Sequence, residues 1–137
     1  MDDLHLKETE NGMAKPGKKG LSRLIAATGH SMSGFREAGR NEEAFRLEAS
    51  LALAFVPLAF FVGESLVHRL LLLVVCALVI LAELVNTAIE TIVDRISAER
   101  HPLSGQAKDL GSAIVFVTLM LFLATWAPRL WLWWQGL

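Results

Sequence analysis

The sequence has little of several things that commonly indicate a function. Its 137 residues include one cysteine, Cys76, so no intrachain disulfide can form. Cys76 lies in an apolar run, which predicts a small buried side chain. The net charge is only −1, and bulk charge therefore does not indicate nucleic-acid binding. The first 20 residues are polar and lack the apolar segment of a secretory signal.

Familiar catalytic motifs are also absent from the sequence. There is no G-x-x-x-x-G-K-[ST] loop, no G-x-G-x-x-G turn and no catalytic-loop motif of the soluble protein kinases. No spacing of cysteine and histidine predicts a zinc site. No combination of serine, histidine and aspartate indicates a hydrolase. These absences argue against the nucleotide-binding, zinc and hydrolase classes that such motifs identify.

Apolar residues, by contrast, are abundant. They make up 53% of the chain and are concentrated in three segments. Because about 20 mainly apolar residues span a bilayer as a helix, these segments predict three transmembrane helices. We expect them at about 42–63, 68–98 and 106–134. No segment alternates in the manner of a strand, so the predicted fold is an all-α membrane protein with a single domain over 21–137.

Two weaker patterns precede the first apolar segment. Residues 1–20 have mixed charge and several glycines, which predicts a disordered N-terminal tail. Over about 21–38, apolar residues recur with helical spacing, so we expect an amphipathic helix in the membrane interface. A surface helix docked on protein is the alternative. Near the other end of the chain, four tryptophans predict an interfacial belt: Trp126, Trp131, Trp133 and Trp134.

Lysine and arginine are unevenly distributed along the chain. Eight precede Glu48, and three lie in or beside the connection between the second and third apolar segments: Arg95, Arg100 and Lys108. The first connection and the C-terminal end hold one each, Arg69 and Arg129. The positive-inside rule therefore predicts that the N-terminus and the second connection are cytoplasmic.

The second apolar segment ends in a row of polar residues, within the sequence VILAELVNTAIETIVDRI at 79–96. Since each helical residue turns by about 100°, Glu83, Asn86, Glu90 and Asp94 share a face about 80° wide. Ionisable groups are costly in lipid, so this face must contact protein or water. Such groups could hold a hard cation such as Mg²⁺, or act as a base or proton carrier. A structural role in tying helices together is the alternative.

Other polar candidates lie on the predicted cytoplasmic side. Three acids precede the first apolar segment: Glu42, Glu43 and Glu48. On a helix continued from the first span, Glu42 would reach the region of Glu90 and Asp94. Glu43 is expected to be a solvated surface carboxylate. A glycine-containing connection adds His101, Lys108 and Asp109. Of these, the lysine and the acid could meet phosphates and a metal. Residue types alone leave two classes open, an enzyme acting on a lipid head group and a proton- or ion-coupled membrane subunit.

The block ELVNTAIETIVDRIS, preceded by NEEAFRLE and followed by HPLSGQAKDLGSA, resembles the small bacterial integral-membrane diacylglycerol kinases. The undecaprenol kinases share this scaffold, and the resemblance covers roughly residues 21–134. It implies a homotrimer in the bacterial inner membrane, with each site shared between neighbouring subunits. It also implies Mg²⁺-dependent transfer of phosphate from ATP to diacylglycerol, giving phosphatidic acid and ADP for phospholipid recycling. Undecaprenol is the alternative substrate.

The resemblance further implies roles for individual residues. Glu83 matches the proposed general base, which takes the proton from the lipid hydroxyl, and Glu42 and Glu90 match the acids that hold the metal. Asn86 and Asp94 match other polar residues of the pocket. The residues implied in ATP binding are Arg23, His30, Glu42, Glu90, Glu99, Arg100, His101, Lys108 and Asp109. Those implied in lipid binding are Arg23, Ser31 and Glu83.

Two positions depart from the family pattern. His30 falls where relatives often have an aromatic residue. Pro102 stands in place of the commoner acidic residue after His101. The second departure lies beside the residues for which the resemblance implies nucleotide contacts: Glu99, Arg100 and His101.

Overall fold

A computed structural model describes residues 20–96, 99 and 101–136. These residues form four helices and no strand: α1 over Leu21–Asn41, α2 over Glu43–Val62, α3 over Leu66–Ile96 and α4 over Pro102–Trp134. The all-helical prediction is therefore confirmed. Of the predicted N-terminal tail, only Gly20 lies among the described residues. Contacts divide this part of the chain into a first unit that ends at Arg36 and a second unit that begins at Glu37.

Three of these helices have the length and composition of membrane spans. The helices α2, α3 and α4 contain 20, 31 and 33 residues, and each includes a stretch of high mean hydropathy. Since about 20 apolar residues cross a bilayer, length and composition confirm the three predicted spans. Many large apolar side chains of these helices are exposed, as is expected where helices face lipid.

The helix α4 begins earlier than predicted, at Pro102 instead of about residue 106. The Leu103 N–H group donates a hydrogen bond to His101 Nδ1 at 3.2 Å, which caps the helix. Proline suits the first helical position, because its fixed φ matches the helix and its missing N–H needs no partner there. The glycine-containing connection is therefore shorter than predicted, since residues 102–105 form the first turn of α4.

The helix α1 also runs further than predicted, to Asn41 instead of about residue 38. Asn41 Nδ2 donates to Glu37 Oε1 at 2.6 Å, and the Glu42 N–H group donates to the Ala38 carbonyl oxygen at 2.9 Å. Glu42 itself has an extended backbone, with φ −106° and ψ 117°, and α2 starts at the next residue. Glu42 is thus the N-cap of α2, directly before the helix, and its carbonyl oxygen accepts a hydrogen bond from the Arg46 N–H group at 3.3 Å.

The hydrophobic core of the second unit lies beside the N-terminal half of α3, which packs against both α2 and α4. Cys76 lies in this core, which confirms the prediction that its side chain is buried. Trp126 is only 1% exposed, so its assignment to an interfacial belt is wrong. Its ring meets Phe55 edge-on with centroids 4.7 Å apart, an arrangement that aromatic pairs in cores favour. The remaining tryptophans are exposed and stay candidates for the belt: Trp131, Trp133 and Trp134.

Two arginines hold the turn between α2 and α3. Arg69 Nε donates to the Gly63 carbonyl oxygen at 2.9 Å. Arg129 of α4 donates to the Val62 carbonyl oxygen and forms an ion pair with Glu64. These bonds satisfy backbone oxygens that the end of α2 leaves without helical partners. They also tie α4 to the turn, which helps to fix how the three long helices pack.

Candidate active site

The C-terminal half of α3 carries the polar row predicted from the sequence. Glu83 is 4% exposed and is the one charged side chain that is buried among the described residues. Asn86 and Glu90 are half-buried, and Asp94 is exposed. Exposure therefore increases along the row towards the end of α3, and Glu83 is its most deeply buried acid.

Three other carboxylates lie close enough to Glu83 to interact with it electrostatically. Glu42, immediately before α2, and Glu90, two turns further along α3, both repel Glu83. Glu48 of α2 repels it as well. Like charges around a buried carboxylate are unfavourable unless a cation or a proton compensates them. The fold thus brings acids from two helices together in what we call the acidic cluster: Glu42, Glu48, Glu83 and Glu90.

The acidic cluster has the chemistry of a magnesium site. Mg²⁺ prefers oxygen ligands and is commonly held by one or two carboxylates together with substrate phosphates and water. The family resemblance implies that Glu42 and Glu90 hold the metal. Both carboxylates repel the buried carboxylate of Glu83. No group of three or more His, Cys, Asp or Glu side chains is positioned for a metal within the part of the chain that the structure describes. A metal site in which two protein carboxylates and the substrate phosphates together supply the ligands fits this arrangement.

Asn86 lies between the acids of α3 and binds one of them. Its Nδ2 atom donates to Glu90 Oε1 at 3.1 Å, a pairing that helical residues four apart commonly make. Asn86 Oδ1 is buried without a hydrogen-bond partner. Because this oxygen has no partner, the hydrogen bond from Nδ2 to Glu90 is the one that orients the amide.

An ion pair joins α4 to α3 beside the acidic cluster. Lys108 Nζ lies 2.6 Å from Asp94 Oδ1, and the two side chains are 38% and 66% exposed. Lys108 also interacts electrostatically with Glu90. A partly exposed pair of this kind stabilises a protein little, so Lys108 can exchange Asp94 for an anionic ligand. The structure therefore brings together three predicted pocket residues from two helices.

Three more of the residues implied in ATP binding lie at or near the start of α4. His101 caps this helix through Nδ1. Glu99 is exposed just before the helix, and Asp109 is exposed on it. Arg100 lies outside the described residues. Contacts of these four residues with a nucleotide stay predictions.

Three further predicted residues belong to the first unit. Arg23, His30 and Ser31 lie on α1, where their side chains are exposed. Ser31 Oγ donates to the Ala27 carbonyl oxygen of the same helix at 3.1 Å. Large apolar side chains are also exposed along α1, which suits a helix lying in a membrane interface. The interfacial placement and the contacts of these residues with ATP or lipid stay predictions.

Glu48 is the member of the acidic cluster that the sequence analysis named as a candidate without assigning it a role. Its side chain is half-buried, and its Oε2 atom is buried without a hydrogen-bond partner. The residue lines a cavity of about 50 Å³ whose other walls are apolar or weakly polar: Leu51, Ala52, Cys76, Val79, Leu119 and Phe122. The only signal in the sequence was an acid directly before an apolar segment, a place where charged residues are common. Packing of α2 against α3 is what brings it to Glu83.

These features define what the site can do chemically. A buried carboxylate, Glu83, can accept a proton from a hydroxyl group. Carboxylates and a lysine beside it can hold a metal ion and phosphates, which is most of what phosphoryl transfer requires. The helices that carry these groups are long and apolar enough to cross a membrane. The arrangement therefore suits phosphoryl transfer to an alcohol that resides in lipid.

Comparison with known proteins points the same way. The family model described as prokaryotic diacylglycerol kinase matches residues 29–130, a range that includes the whole acidic cluster. The diacylglycerol kinase of Pseudomonas aeruginosa is 49% identical over 114 residues, which cover 83% of this chain and 93% of that protein. That of Haemophilus influenzae is 48% identical over 107 residues, covering 78% and 91% of the two chains. That of Escherichia coli (strain K12) is 43% identical over 112 residues, covering 82% and 92%.

Proposed function

Because the chain belongs to the prokaryotic diacylglycerol kinase family, we propose that it transfers the γ-phosphate of ATP to the primary hydroxyl of diacylglycerol. The products are phosphatidic acid and ADP, and the reaction serves phospholipid recycling. The observation that carries the proposal is the buried Glu83 within the acidic cluster, on a helix suited to span a bilayer. A site in that position lets the hydroxyl react while the acyl chains stay in lipid.

Glu83 is the general base of the proposed reaction. Its carboxylate accepts the hydroxyl proton while the hydroxyl oxygen forms a bond to the γ-phosphorus of ATP. The bond between that phosphorus and the oxygen bridging to the β-phosphate breaks, and ADP leaves with the bonding electrons. Burial of Glu83 supports this role, because a base shielded from water acts on the substrate and not on solvent.

Glu42 and Glu90 are the residues that would hold Mg²⁺ when it enters the proposed site with ATP. When bound, the ion neutralises the negative charge of the phosphates. The repulsion of both carboxylates with Glu83 supports the assignment, because a cation would compensate it. Asn86 keeps Glu90 in place through its hydrogen bond.

Lys108 contributes a second positive charge to the nucleotide. Asp94 holds the ammonium group beside Glu90 until ATP takes its place. The remaining proposed ATP contacts follow from the family resemblance: Arg23, His30, Glu99, Arg100, His101 and Asp109. Arg23 and Ser31 are the proposed contacts with the lipid head group.

The protein works, in this proposal, as a homotrimer in the bacterial inner membrane with its N-terminus in the cytoplasm. The excess of lysine and arginine before α2 and around the α3–α4 connection supports that orientation. It places the exposed end of the polar row, at Asp94, where ATP is available. Three spans alone provide few walls for a site, which supports sharing each site between subunits. A mass determination in detergent that gave a monomer would contradict the trimer.

The reaction is tested with purified protein in mixed micelles. Labelled ATP and Mg²⁺ are supplied, and diacylglycerol and undecaprenol are offered in separate reactions. We expect label in phosphatidic acid and little or none in undecaprenyl phosphate. The reverse pattern would assign the protein to the undecaprenol kinases instead. Label in neither product would contradict a lipid kinase, and would favour the proton- or ion-coupled subunit, whose activity follows the transmembrane potential.

A further inference from the structure

We propose that Gly111 of α4 is a positioning residue for the acidic cluster, because its lack of a side chain leaves room for Asn86. The inference rests on the proposed function, in which Glu90 holds Mg²⁺ and ATP. Gly111 is buried. A Cβ atom at this position would lie 2.5 Å from Asn86 Oδ1, much closer than a carbon and an oxygen can approach without a bond. Of all residues, glycine alone is compatible with the observed conformation of Asn86.

The crowding caused by a larger residue would be relieved at Asn86. The crowded atom is the end of a side chain, which can rotate away. The next nearest atoms, Asn86 Cγ and Ile89 Cδ1, are at an ordinary contact distance of 3.5 Å. No backbone atom is among these three neighbours. A methyl group at Gly111 would therefore displace the amide of Asn86 without separating α3 from α4, and we expect the Gly111→Ala variant to fold.

Rotation of the amide would remove the hydrogen bond that Glu90 receives. Asn86 Nδ2 donates to Glu90 Oε1 at 3.1 Å, while Asn86 Oδ1 has no hydrogen-bond partner. Exchanging the two ends of the amide would set an oxygen against the Glu90 carboxylate, where neither atom can donate. The exchange would also leave Nδ2 against an added methyl group, so the amide would have to rotate away from Glu90. Its observed position therefore depends on the space beside Gly111. Through Asn86, Gly111 determines how Glu90 is presented to its ligand.

The test compares Gly111→Ala with Gly105→Ala in the full-length protein. Gly105 lies on the same helix, and a Cβ there would meet no atom within 4 Å, so this variant controls for adding alanine to α4. We expect Gly111→Ala to raise both the KM for Mg·ATP and the Kd of a non-hydrolysable ATP analogue about tenfold, as loss of a partner that orients a metal ligand commonly does. The kcat should fall much less, because Glu83 is unchanged. Gly105→Ala should leave all three constants unchanged.

A double variant shows whether the effect passes through Asn86. Asn86→Ala removes the amide, so adding Gly111→Ala should raise the Kd of the analogue no further. In nuclear magnetic resonance, the side-chain amide signal of Asn86 should shift in Gly111→Ala and stay in place in Gly105→Ala. A Kd for Gly111→Ala equal to that of Gly105→Ala, or a full additional effect in the double variant, would overturn the inference.

The failure of the inference can be distinguished from that of the proposed function. If the unaltered protein binds the analogue and phosphorylates diacylglycerol, only the role of Gly111 is in question. If the unaltered protein phosphorylates no lipid, the proposed function fails. In that case the amide signal of Asn86 and the binding titrations still decide whether Gly111 positions Asn86.

Discussion

Lys108 Nζ lies 2.6 Å from Asp94 Oδ1, so one ion pair joins α4 to α3 at the exposed end of the polar row. The two residues have different proposed parts in the reaction, because only the ammonium group can bind a phosphate. Their partial exposure means that breaking the pair should disturb the fold little. Substitution of each partner therefore separates a role in ATP binding from a role in packing.

Replacing Lys108 should weaken ATP binding more than replacing its partner. Lys108→Met removes a charge-assisted hydrogen bond to phosphate and should raise the KM for ATP about tenfold or more. Asp94→Asn keeps the ammonium group and should raise this KM less. Steady-state rates at saturating lipid measure both effects. An unchanged KM in Lys108→Met would remove Lys108 from the nucleotide site.

Replacing the buried acid should abolish turnover without abolishing ATP binding. Glu83→Gln keeps the shape of the side chain and removes the base, so kcat should fall by about 10²–10⁴. Binding of the ATP analogue should stay close to that of the unaltered protein. Glu43→Gln is the matched control, because Glu43 is an exposed acid on α2 and should be dispensable. A Glu83→Gln variant with half the normal kcat would show that Glu83 is not the base.

Replacing either proposed metal ligand should change the Mg²⁺ requirement. Glu90→Gln and Glu42→Gln each remove a carboxylate charge, and each should raise the Mg²⁺ concentration for half-maximal rate about tenfold or more. The measurement is a Mg²⁺ titration at fixed ATP and lipid, with Glu43→Gln again as control. A titration of Glu90→Gln that matches the control would exclude Glu90 from the metal site, and the same holds for Glu42.

At the other end of the bundle, Arg129 should matter for stability and not for chemistry. Arg129→Met leaves the Val62 carbonyl oxygen without its donor and removes the ion pair with Glu64. Loss of a partner for a buried acceptor lowers the unfolding free energy by about 1–3 kcal/mol. Unfolding in detergent measures this loss, and the KM for ATP should not change. Equal stability of Arg129→Met and the unaltered protein would mean that these bonds contribute nothing.

Replacing Gly63 or Gly105 by alanine should change the unfolding free energy in opposite directions. A Cβ at Gly63 would lie 2.5 Å from Arg69 Cγ and 2.7 Å from the backbone oxygen of Ala59, so the turn itself must move. Gly63→Ala should therefore lower the unfolding free energy by about 1–3 kcal/mol. Gly105→Ala meets no neighbour in a helix and should raise it by about 0.5–1 kcal/mol. Thermal unfolding of the two variants in the same detergent makes the comparison, and a stabilised Gly63→Ala would contradict the crowding.

Much of the fold could be predicted from hydropathy, whereas helix ends depended on individual side chains. Three spans follow from the length of the apolar segments, and the structure has three helices of that length and composition. The start of α4 at Pro102 depended on a cap from His101, which is not among the residues that usually provide one. Trp126 likewise shows that position in the sequence does not determine which side chains are buried. Its position near the end of an apolar segment is typical of an interfacial residue, yet packing against Phe55 buries it in the core.

By itself the sequence determined that the chain forms membrane-spanning helices and that one of them bears Glu83, Asn86, Glu90 and Asp94 on a single face. Both properties are local, since they depend on apolar length and on the 3.6-residue repeat of one helix. Only the tertiary structure decided that Glu48 joins Glu83, that Gly111 makes room for Asn86, and that Arg129 bonds to the α2–α3 turn. Each of these contacts is made between different helices, and no periodicity within one helix specifies which residues of its neighbours will face it.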